Sequence, residues 1–445
     1  MKDLTQGSIP RHLLELAAPL AAGMVFQTLY YLVDLYFVAR LGDAAIAGVS
    51  AAGNAQFIVM SLTQVLGVGS MALIAHAVGR RDFTDANLIF NQSLSLAALA
   101  AAATVAVGAA LGGRYVASLG ADPATIAAGR SYLAWFLPGL ALQFALVVMG
   151  SALRGTGIVR PTMVVQIITV IVNAILAPIL IAGWGTGRPL GVAGAGLATS
   201  IAVALGVVLL WISFVRLEKV VRFDTALIRP KAAVWWRILR IGLPPGGEFA
   251  LMFVSMGVAY WVIRDFGAAA QAGYGLGSRV MQAIFLPAMA VAFATAPMAG
   301  QNFGAGKHDR VRETFRVAAV IGTCVMLGLT VVSRWRPEWF FYWFTEERPV
   351  IEVGAEFLRF VSLNFVASGL IFTCSGMFQA LGNTVPSLLS SAARLLIFAA
   401  PAVVLSRRPD FTLRHLWTLS VATTTLQAVL SLWLLRREAR LRMPA

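Results

Sequence analysis

A weak internal repeat is the feature of this chain that most restricts its fold. When residues 19–79 are shifted by 225 positions without a gap, several small residues and a proline coincide. The coinciding pairs are Pro19 with Pro244, Gly42 with Gly267, Ala47 with Ala272, Gly48 with Gly273, and Gly79 with Gly304. A helix start, a turn and a glycine-containing loop follow in the same order in both copies. Membrane chains built from two such halves usually bind ligands between or within the halves, so the repeat favours transport.

The composition indicates a membrane protein. Of the 445 residues, 59% are hydrophobic and only 12% are charged, which leaves too little polar surface for a soluble chain. Apolar runs long enough to cross a bilayer recur along the whole length. The net charge of +15 comes from basic residues in short connections between these runs. Membrane topology therefore explains the charge better than nucleic-acid binding, and we expect no nucleic-acid partner.

Twelve membrane helices are predicted, so the chain is expected to be an all-α polytopic protein. The spans are 12–39, 46–78, 87–111, 130–153, 160–183, 190–215, 236–263, 272–302, 314–334, 353–379, 384–405 and 412–435. They divide into an N-terminal lobe (1–216), a basic cytoplasmic linker (217–235) and a C-terminal lobe (236–445). Lys and Arg are enriched in the connections on the side of both termini, which predicts that both termini are cytoplasmic.

Three charged residues fall well inside predicted spans, where a charge is costly and needs a reason. Asp34 lies in the first span, and a carboxylate removed from water there can exchange a proton at ordinary pH. Its alternative role is a structural pair or contact with water at the outer end. Glu248 follows Pro244 by four residues, and function and structural anchoring are equally open for it. Arg394 can neutralise a carboxylate, cap a broken helix or extend to the interface.

Polar residues within other spans complete the candidate site. Asn173 in the fifth span and Thr199 in the sixth can hydrogen-bond to a carboxylate or to a neighbouring helix. We therefore predict Asp34, Asn173, Thr199 and Glu248 as ion-coupling residues. The predicted lining of a substrate cavity consists of Tyr30, Gln143, Gln166, Gln282, Asn364 and Arg394.

Residues 300–308 (Gly-Gln-Asn-Phe-Gly-Ala-Gly-Lys-His) resemble a phosphate-binding loop but do not fit one. The glycines are one residue too far apart, and His308 stands where Ser or Thr would hold magnesium. Without a nucleotide motif, an ion gradient is the expected energy source. No cluster of His, Cys or paired carboxylates has the spacing of a catalytic or metal site, so we expect no enzyme activity, metal or cofactor.

Several motifs, taken in order, resemble the multidrug and toxic compound extrusion (MATE) family over nearly the whole chain. These are 33–42 followed by 45–48, then 155–161, 178–181 and 191–199 around Asn173, and finally 300–306. The resemblance implies two pseudo-symmetric six-helix lobes arranged as a V. It also implies export of organic cations and other drugs in exchange for H⁺ or Na⁺.

The resemblance implies specific site residues as well. Many prokaryotic members join a first-helix Asp to an Asn and an Asp four apart in the fifth helix, with a sixth-helix Thr. Asp34, Asn173 and Thr199 match this pattern, but the fifth-helix Asp is replaced by Ala177. Losing a carboxylate weakens a sodium site more than a proton site. Some members use a Glu in the seventh helix, where Glu248 lies.

The predicted function is therefore antiport. We expect an exporter of amphipathic, cationic drugs or toxic metabolites that exchanges them for H⁺, or less favourably Na⁺, by alternating access in the bacterial inner membrane. It is expected to act as a monomer. A lipid-linked saccharide flippase of the same superfamily, with about fourteen helices, and a membrane-embedded enzyme remain the alternatives.

Overall fold

A computed structural model describes residues 2–120, 122–185, 187–217, 220–342 and 344–443, while the side chains of 29–35 and 217 lie outside the described part. Within these residues the secondary structure is helical, with short 3-10 turns and no strand. The α-helices are α1 (Ile9–Ala39), α2 (Asp43–Gly79), α3 (Phe83–Leu119), α4 (Pro123–Gly155), α5 (Arg160–Ala182), α6 (Val192–Leu217), α7 (Ala232–Ile263), α8 (Ala268–Gly304), α9 (His308–Trp335), α10 (Arg348–Val361), α11 (Phe365–Leu381), α12 (Val385–Leu405) and α13 (Leu413–Arg442).

The twelve-span prediction is confirmed. Among the described residues, 11 helical segments are long and apolar enough to cross a membrane, and α10 and α11 form one of them, Arg348–Leu381. The remaining predicted span corresponds to α1, a helix of 31 residues. Most helices extend beyond the predicted limits, and in α3 and α4 a polar cap starts the helix before the apolar run. The Asp82 side chain, for example, accepts a hydrogen bond from the Asp85 N–H and starts α3 four residues early.

The repeat extends far beyond the stretch that the sequence indicated. The helices α2, α3, α4 and α5 each begin 225 residues before α8, α9, α10 and α12. Close helix packing follows the same register. A Cβ on Gly48 would lie 2.7 Å from the Gly129 nitrogen between α2 and α4, and one on Gly273 would lie 3.0 Å from the Gly354 nitrogen between α8 and α10. Both glycine pairs are therefore needed for the backbones to approach.

Two compact units divide the chain, and they differ from the predicted lobes. Unit 1 consists of Ala22–Leu243 and the N-terminal residues through Asp3, and unit 2 consists of Leu4–Ala21 and Pro244–Ala445. The first part of α1 thus belongs to unit 2, and the first part of α7 belongs to unit 1. The division falls within two residues of Pro19 in α1 and directly before Pro244 in α7. A boundary in the linker is not observed, because both helices continue through their prolines.

The start of α7 is held in unit 1 by the helices that precede it. A Cβ on Gly242 would lie 1.8 Å from the Val65 oxygen of α2, so the two backbones are in contact there. Asn91 and Gln92 of α3 bind the linker, because their side-chain amides donate to the carbonyls of Arg222 at 2.8 Å and Arg229 at 2.7 Å. The described part of the linker is therefore hydrogen-bonded to α3, and these bonds fix where α7 begins.

The chain that leads into α1 is bound in a similar way in unit 2. The Leu4 N–H donates to Gln301 Oε1 at 3.1 Å, and Asn302 Nδ2 donates to the Leu4 carbonyl at 3.1 Å. The Lys307 ammonium donates to the Thr5 carbonyl at 2.8 Å. Residues 300–308, the segment that resembles a phosphate loop, thus hold the N-terminal segment in place.

Candidate functional site

The predicted pair of Asn173 and Thr199 is brought together in unit 1. Asn173 on α5 and Thr199 on α6 are both buried, and Asn173 Nδ2 lies 3.5 Å from Thr199 Oγ1, at the long end of hydrogen bonding. The Thr199 hydroxyl donates to the Ala195 carbonyl one turn earlier at 3.1 Å. Ala177, four residues after Asn173 and therefore on the same helix face, is fully buried. The pair supplies amide and hydroxyl oxygens but no carboxylate.

Two further predicted residues of unit 1 lie outside the described side chains. Asp34 and Tyr30 fall in the second half of α1, where the helical backbone is described and the side chains are not. Their roles therefore stay predictions. The backbone places Asp34 about 22 Å along α1 from Pro19, at a rise of about 1.5 Å per residue.

Glu248 on α7 faces α12 within unit 2. The Ser387 hydroxyl of α12 hydrogen-bonds to its carboxyl group, and Ser387 is itself buried. The second carboxyl oxygen, Oε1, is buried and has no hydrogen-bond partner among the described residues. A buried oxygen without a donor is unfavourable for a carboxylate, whereas a protonated carboxyl group or a bound cation would relieve it. Both possibilities fit an exchange site.

Gln166 in unit 1 approaches Gly23, the position that corresponds to Glu248 in unit 2. The repeat aligns Gly23 with Glu248 and Gln166 with Ser391. A Cβ on Gly23 would lie only 2.6 Å from Gln166 Oε1. The long polar side chain is therefore on α5 in unit 1, as Gln166, and on α7 in unit 2, as Glu248. The corresponding position on the other helix is Gly23 in unit 1 and Ser391 in unit 2.

Gln143 is paired with a residue that the sequence did not suggest. Its side-chain amide exchanges two hydrogen bonds with Gln56 of α2, at 3.0 and 3.2 Å, so each amide both donates and accepts. Gln56 stood among apolar residues without a repeat partner or a nearby charge. Only the backbone approach of α2 and α4 reveals the pair.

Asn364 lies at a break in the helical path rather than on a regular helix. It ends the 3-10 turn Ser362–Asn364 between α10 and α11, where its amide donates to the Ser420 carbonyl at 3.3 Å. The matching residue in unit 1 is Gly139, next to Pro138 in the unbroken α4. There the Ser200 hydroxyl inserts into the backbone ladder, accepting from the Gly139 N–H at 3.0 Å and donating to the Trp135 carbonyl at 2.5 Å.

Arg394 and Gln282 are the last two predicted residues. Arg394 is partly buried on α12, seven residues and so about two turns after Ser387, on the same helix face. Its Nε atom is buried without a hydrogen-bond partner in the described part of the chain. Gln282 on α8 is exposed, in contrast to the buried Asn173 and Thr199.

A helical membrane protein with two repeats and polar residues buried in its spans has the architecture of a secondary transporter. The MatE family model matches residues 19–179 and 244–405, which begin at the two repeat prolines. The chain therefore belongs to the MatE family, and the predicted membership in the MATE efflux transporters is confirmed. Members of this family are multi-pass membrane transporters of small molecules.

Similar proteins agree with this assignment. The multidrug export protein MepA of Staphylococcus aureus (strain N315) is 24% identical over 379 residues, or 83% of this chain and 81% of the relative. A FAD transporter of Shewanella oneidensis is 24% identical over 421 residues, or 92% and 91%. A MOP superfamily transporter from Pyrococcus furiosus has a similar structure, with a TM-score of 0.92 at 23% identity over 100% of this chain and 98% of that chain.

Proposed function

We propose that this protein is a proton-coupled antiporter that exports amphipathic, cationic compounds across the bacterial inner membrane by alternating access. The family and the multidrug export relatives support the export of small molecules, and they favour an exporter over a lipid-linked saccharide flippase or a membrane-embedded enzyme. The orientation with both termini in the cytoplasm and a monomeric carrier are part of the same proposal. No cofactor is required.

The observation that carries the choice of H⁺ over Na⁺ is the chemistry around Asn173. A sodium site gains affinity from several oxygen ligands and from negative charge. The Asn173–Thr199 contact offers neutral oxygens, and the fifth-helix position that could add a carboxylate is the buried Ala177. Asp34 would then be the one carboxylate of this group. A single carboxylate beside neutral hydrogen-bonding groups is better suited to binding a proton.

In the proposed cycle, protonation of Asp34 from the outside changes the packing of unit 1 around Asn173 and Thr199 and releases the substrate. Loss of the proton to the cytoplasm resets the carrier. A charge moving through 100 mV contributes about 2.3 kcal/mol. At about 1.4 kcal/mol per tenfold, that supports a substrate gradient of roughly 50-fold for each net charge moved. A one-for-one exchange of H⁺ for a monovalent cation moves no net charge and is driven by the pH gradient.

Glu248 is proposed as a second protonation site. Its Oε1 atom has no donor or counter-charge among the described residues, so a proton on the carboxyl group would remove an unpaired buried charge. The Ser387 hydroxyl can hydrogen-bond to either protonation state. Asp34 remains the residue proposed to couple H⁺ to the substrate.

The test is efflux from proteoliposomes with a pH gradient or a sodium gradient imposed separately. We expect the pH gradient alone to drive accumulation of a fluorescent cation such as rhodamine 123, and Asp34→Asn to abolish it. Asp43→Asn, which removes an exposed carboxylate at the start of α2, is the matched control and should transport normally. Transport driven only by sodium, or intact proton-driven transport in Asp34→Asn, would refute the proposal.

A further inference from the structure

Arg394 is a cation in the middle of a membrane helix, and no carboxylate among the described residues pairs with it. It lies nine residues from the start of α12, about 13 Å along a helix of 21 residues. Within the described residues it forms no ion pair or hydrogen bond, and its Nε atom is buried. A cation held away from water is costly unless an anion accompanies it. At that depth a lipid headgroup is too far away to act as the anion.

Two more buried donors lie beside the same aromatic ring. Tyr274 of α8 is close enough to Arg394 for an electrostatic interaction, and its ring stacks on Trp417 of α13 with centroids 5.7 Å apart. Trp417 is 1% exposed, and its Nε1 atom has no hydrogen-bond partner among the described residues. Ser278, one helical turn after Tyr274, is 4% exposed, and its hydroxyl hydrogen-bonds to the Tyr274 hydroxyl. One of these two hydroxyls donates to the other, so one O–H of the pair is left to donate elsewhere.

The chemistry of these three groups is that of an acceptor site. Arginine and the tryptophan indole can only donate hydrogen bonds, and the serine hydroxyl can donate as well. Buried donors are normally satisfied, so three of them around one ring indicate a missing acceptor. An oxyanion, either a carboxylate or a phosphate, supplies several acceptor oxygens and the negative charge that the guanidinium lacks.

We propose that unit 2 binds an oxyanion group of the exported compound through Arg394, Trp417 and Ser278, with Tyr274 and Phe357 packing against its aromatic part. The proposal rests on the proposed export function and extends its substrate class to compounds that carry both an aromatic body and a carboxylate or phosphate. Tyr274 and Phe357 already form an edge-to-face pair with centroids 5.2 Å apart, which provides the apolar surface.

Binding to the purified carrier in detergent tests the site without any ion gradient, so its result is independent of the proton-coupling proposal. Two matched probe pairs differ only in the anionic group: rhodamine 110 carries a free carboxylate and rhodamine 123 its methyl ester, and flavin mononucleotide carries a phosphate that riboflavin lacks. We expect Arg394→Gln to weaken binding of rhodamine 110, flavin mononucleotide or both at least tenfold. Rhodamine 123 and riboflavin should change less than twofold.

Two variants separate the site from the fold. Trp417→Phe keeps the stacked ring and removes only the indole donor, and it should weaken the same anionic probe about threefold. Arg407→Gln removes an exposed arginine just beyond α12 and should leave every affinity unchanged. If Arg394→Gln weakens binding of rhodamine 110 alone, the oxyanion is a carboxylate, and if it weakens binding of flavin mononucleotide alone, the oxyanion is a phosphate. The proposal is overturned if the wild type binds neither anionic probe, or if Arg394→Gln affects both members of each pair equally or not at all.

Discussion

The two units place different side chains on almost the same backbone. Shifted by 225 residues, Asn173 of unit 1 corresponds to Phe398 of unit 2, Asp34 to Ala259, and Thr199 to Thr424. Phe398 and Ala259 are buried in the apolar core of unit 2. The proposed ion-coupling group therefore has a largely apolar counterpart in the second repeat.

The opposite holds for the polar residues of unit 2. Glu248 corresponds to Gly23, and Arg394 corresponds to Thr169. Unit 2 thus carries an acid on α7 that contacts Ser387, and a base on α12 about two turns after that serine. Unit 1 has no charge at either position. The two units therefore share the helix register and the close contacts at Gly48 and Gly273, but they carry different polar groups. We infer that the two units took on separate tasks.

The glycine contacts that differ between the units should have the largest effects on stability. Gly242→Ala places a Cβ 1.8 Å from the Val65 oxygen, which requires the backbones of α7 and α2 to separate. Its repeat counterpart is Ala17, where a Cβ is already present and buried. We expect Gly242→Ala to destabilise by about 3 kcal/mol through overpacking.

A thermal unfolding scan in detergent measures this difference. Ala17→Gly is the reverse change at the counterpart and should cost only about 1 kcal/mol, through backbone freedom in the helix. Equal losses in the two variants would show that unit 1 does not need the close contact at Gly242.

The exchange of a long polar side chain between facing helices can be tested by grafting one unit on the other. Gly23→Glu copies Glu248 into unit 1, where it meets Gln166 Oε1, and should destabilise by about 2 kcal/mol. The double variant Gly23→Glu with Gln166→Ser copies both helices of unit 2 and should recover most of the loss. If the double variant lowers the unfolding temperature by the sum of the two single losses, Glu at position 23 and Gln166 do not compete for the same space, and the proposal is contradicted.

The Asn173–Thr199 contact should contribute little to stability and more to transport. Thr199→Val keeps the shape and removes the hydroxyl, which we expect to cost about 1 kcal/mol. Proton-driven efflux of rhodamine 123 should fall about tenfold if the pair organises the coupling site. Thr424→Val, the same change at the counterpart in unit 2, is the control and should leave efflux within twofold. A similar loss of efflux in both variants would argue against a special role for unit 1.

The smallest expected effect concerns a turn that the units form with different residues. Arg81 has a φ of 60°, the one positive value for a residue other than glycine in the described part of the chain, and its counterpart Gly306 has a φ of 70°. Arg81→Gly should stabilise by about 0.5–1 kcal/mol because it relieves the left-handed backbone. Gly306→Arg should destabilise by a similar amount. A lower unfolding temperature for Arg81→Gly would mean that its side chain contributes more than the strain costs.

The sequence predicted the fold well because both of its signals are local. Long apolar runs identified all twelve spans, and the recurring glycines identified the repeat because close backbone contacts tolerate few other residues there. Pro19 and Pro244 also marked the repeat, but they lie inside α1 and α7 and not at helix starts as predicted. The exchange of the first parts of α1 and α7 between the units was not predictable. Composition marks Pro19 and Pro244, but it does not indicate with which helices the preceding turns pack.

The candidate site was predicted in part. Asn173 and Thr199 were found as polar residues inside apolar spans and also match the family pattern, and the structure brings them together. Gln56, Ser387 and Trp417 were missed because the sequence does not show which residues of other helices face them. A pair between Arg394 and a carboxylate was one of the roles left open by the sequence, and no such pair is observed among the described residues.

Proton release on substrate binding tests most directly whether unit 1 couples the ion. Rhodamine 123 would be added to the purified carrier in weakly buffered detergent with a pH indicator. Since ion and substrate compete through linked equilibria, the wild type should release about one proton per bound substrate. We expect Asp34→Asn to eliminate this proton release and Glu248→Gln to retain it. If Asp34→Asn still released the proton and Glu248→Gln did not, the coupling would lie in unit 2, and the proposed coupling by Asp34 in unit 1 would be wrong.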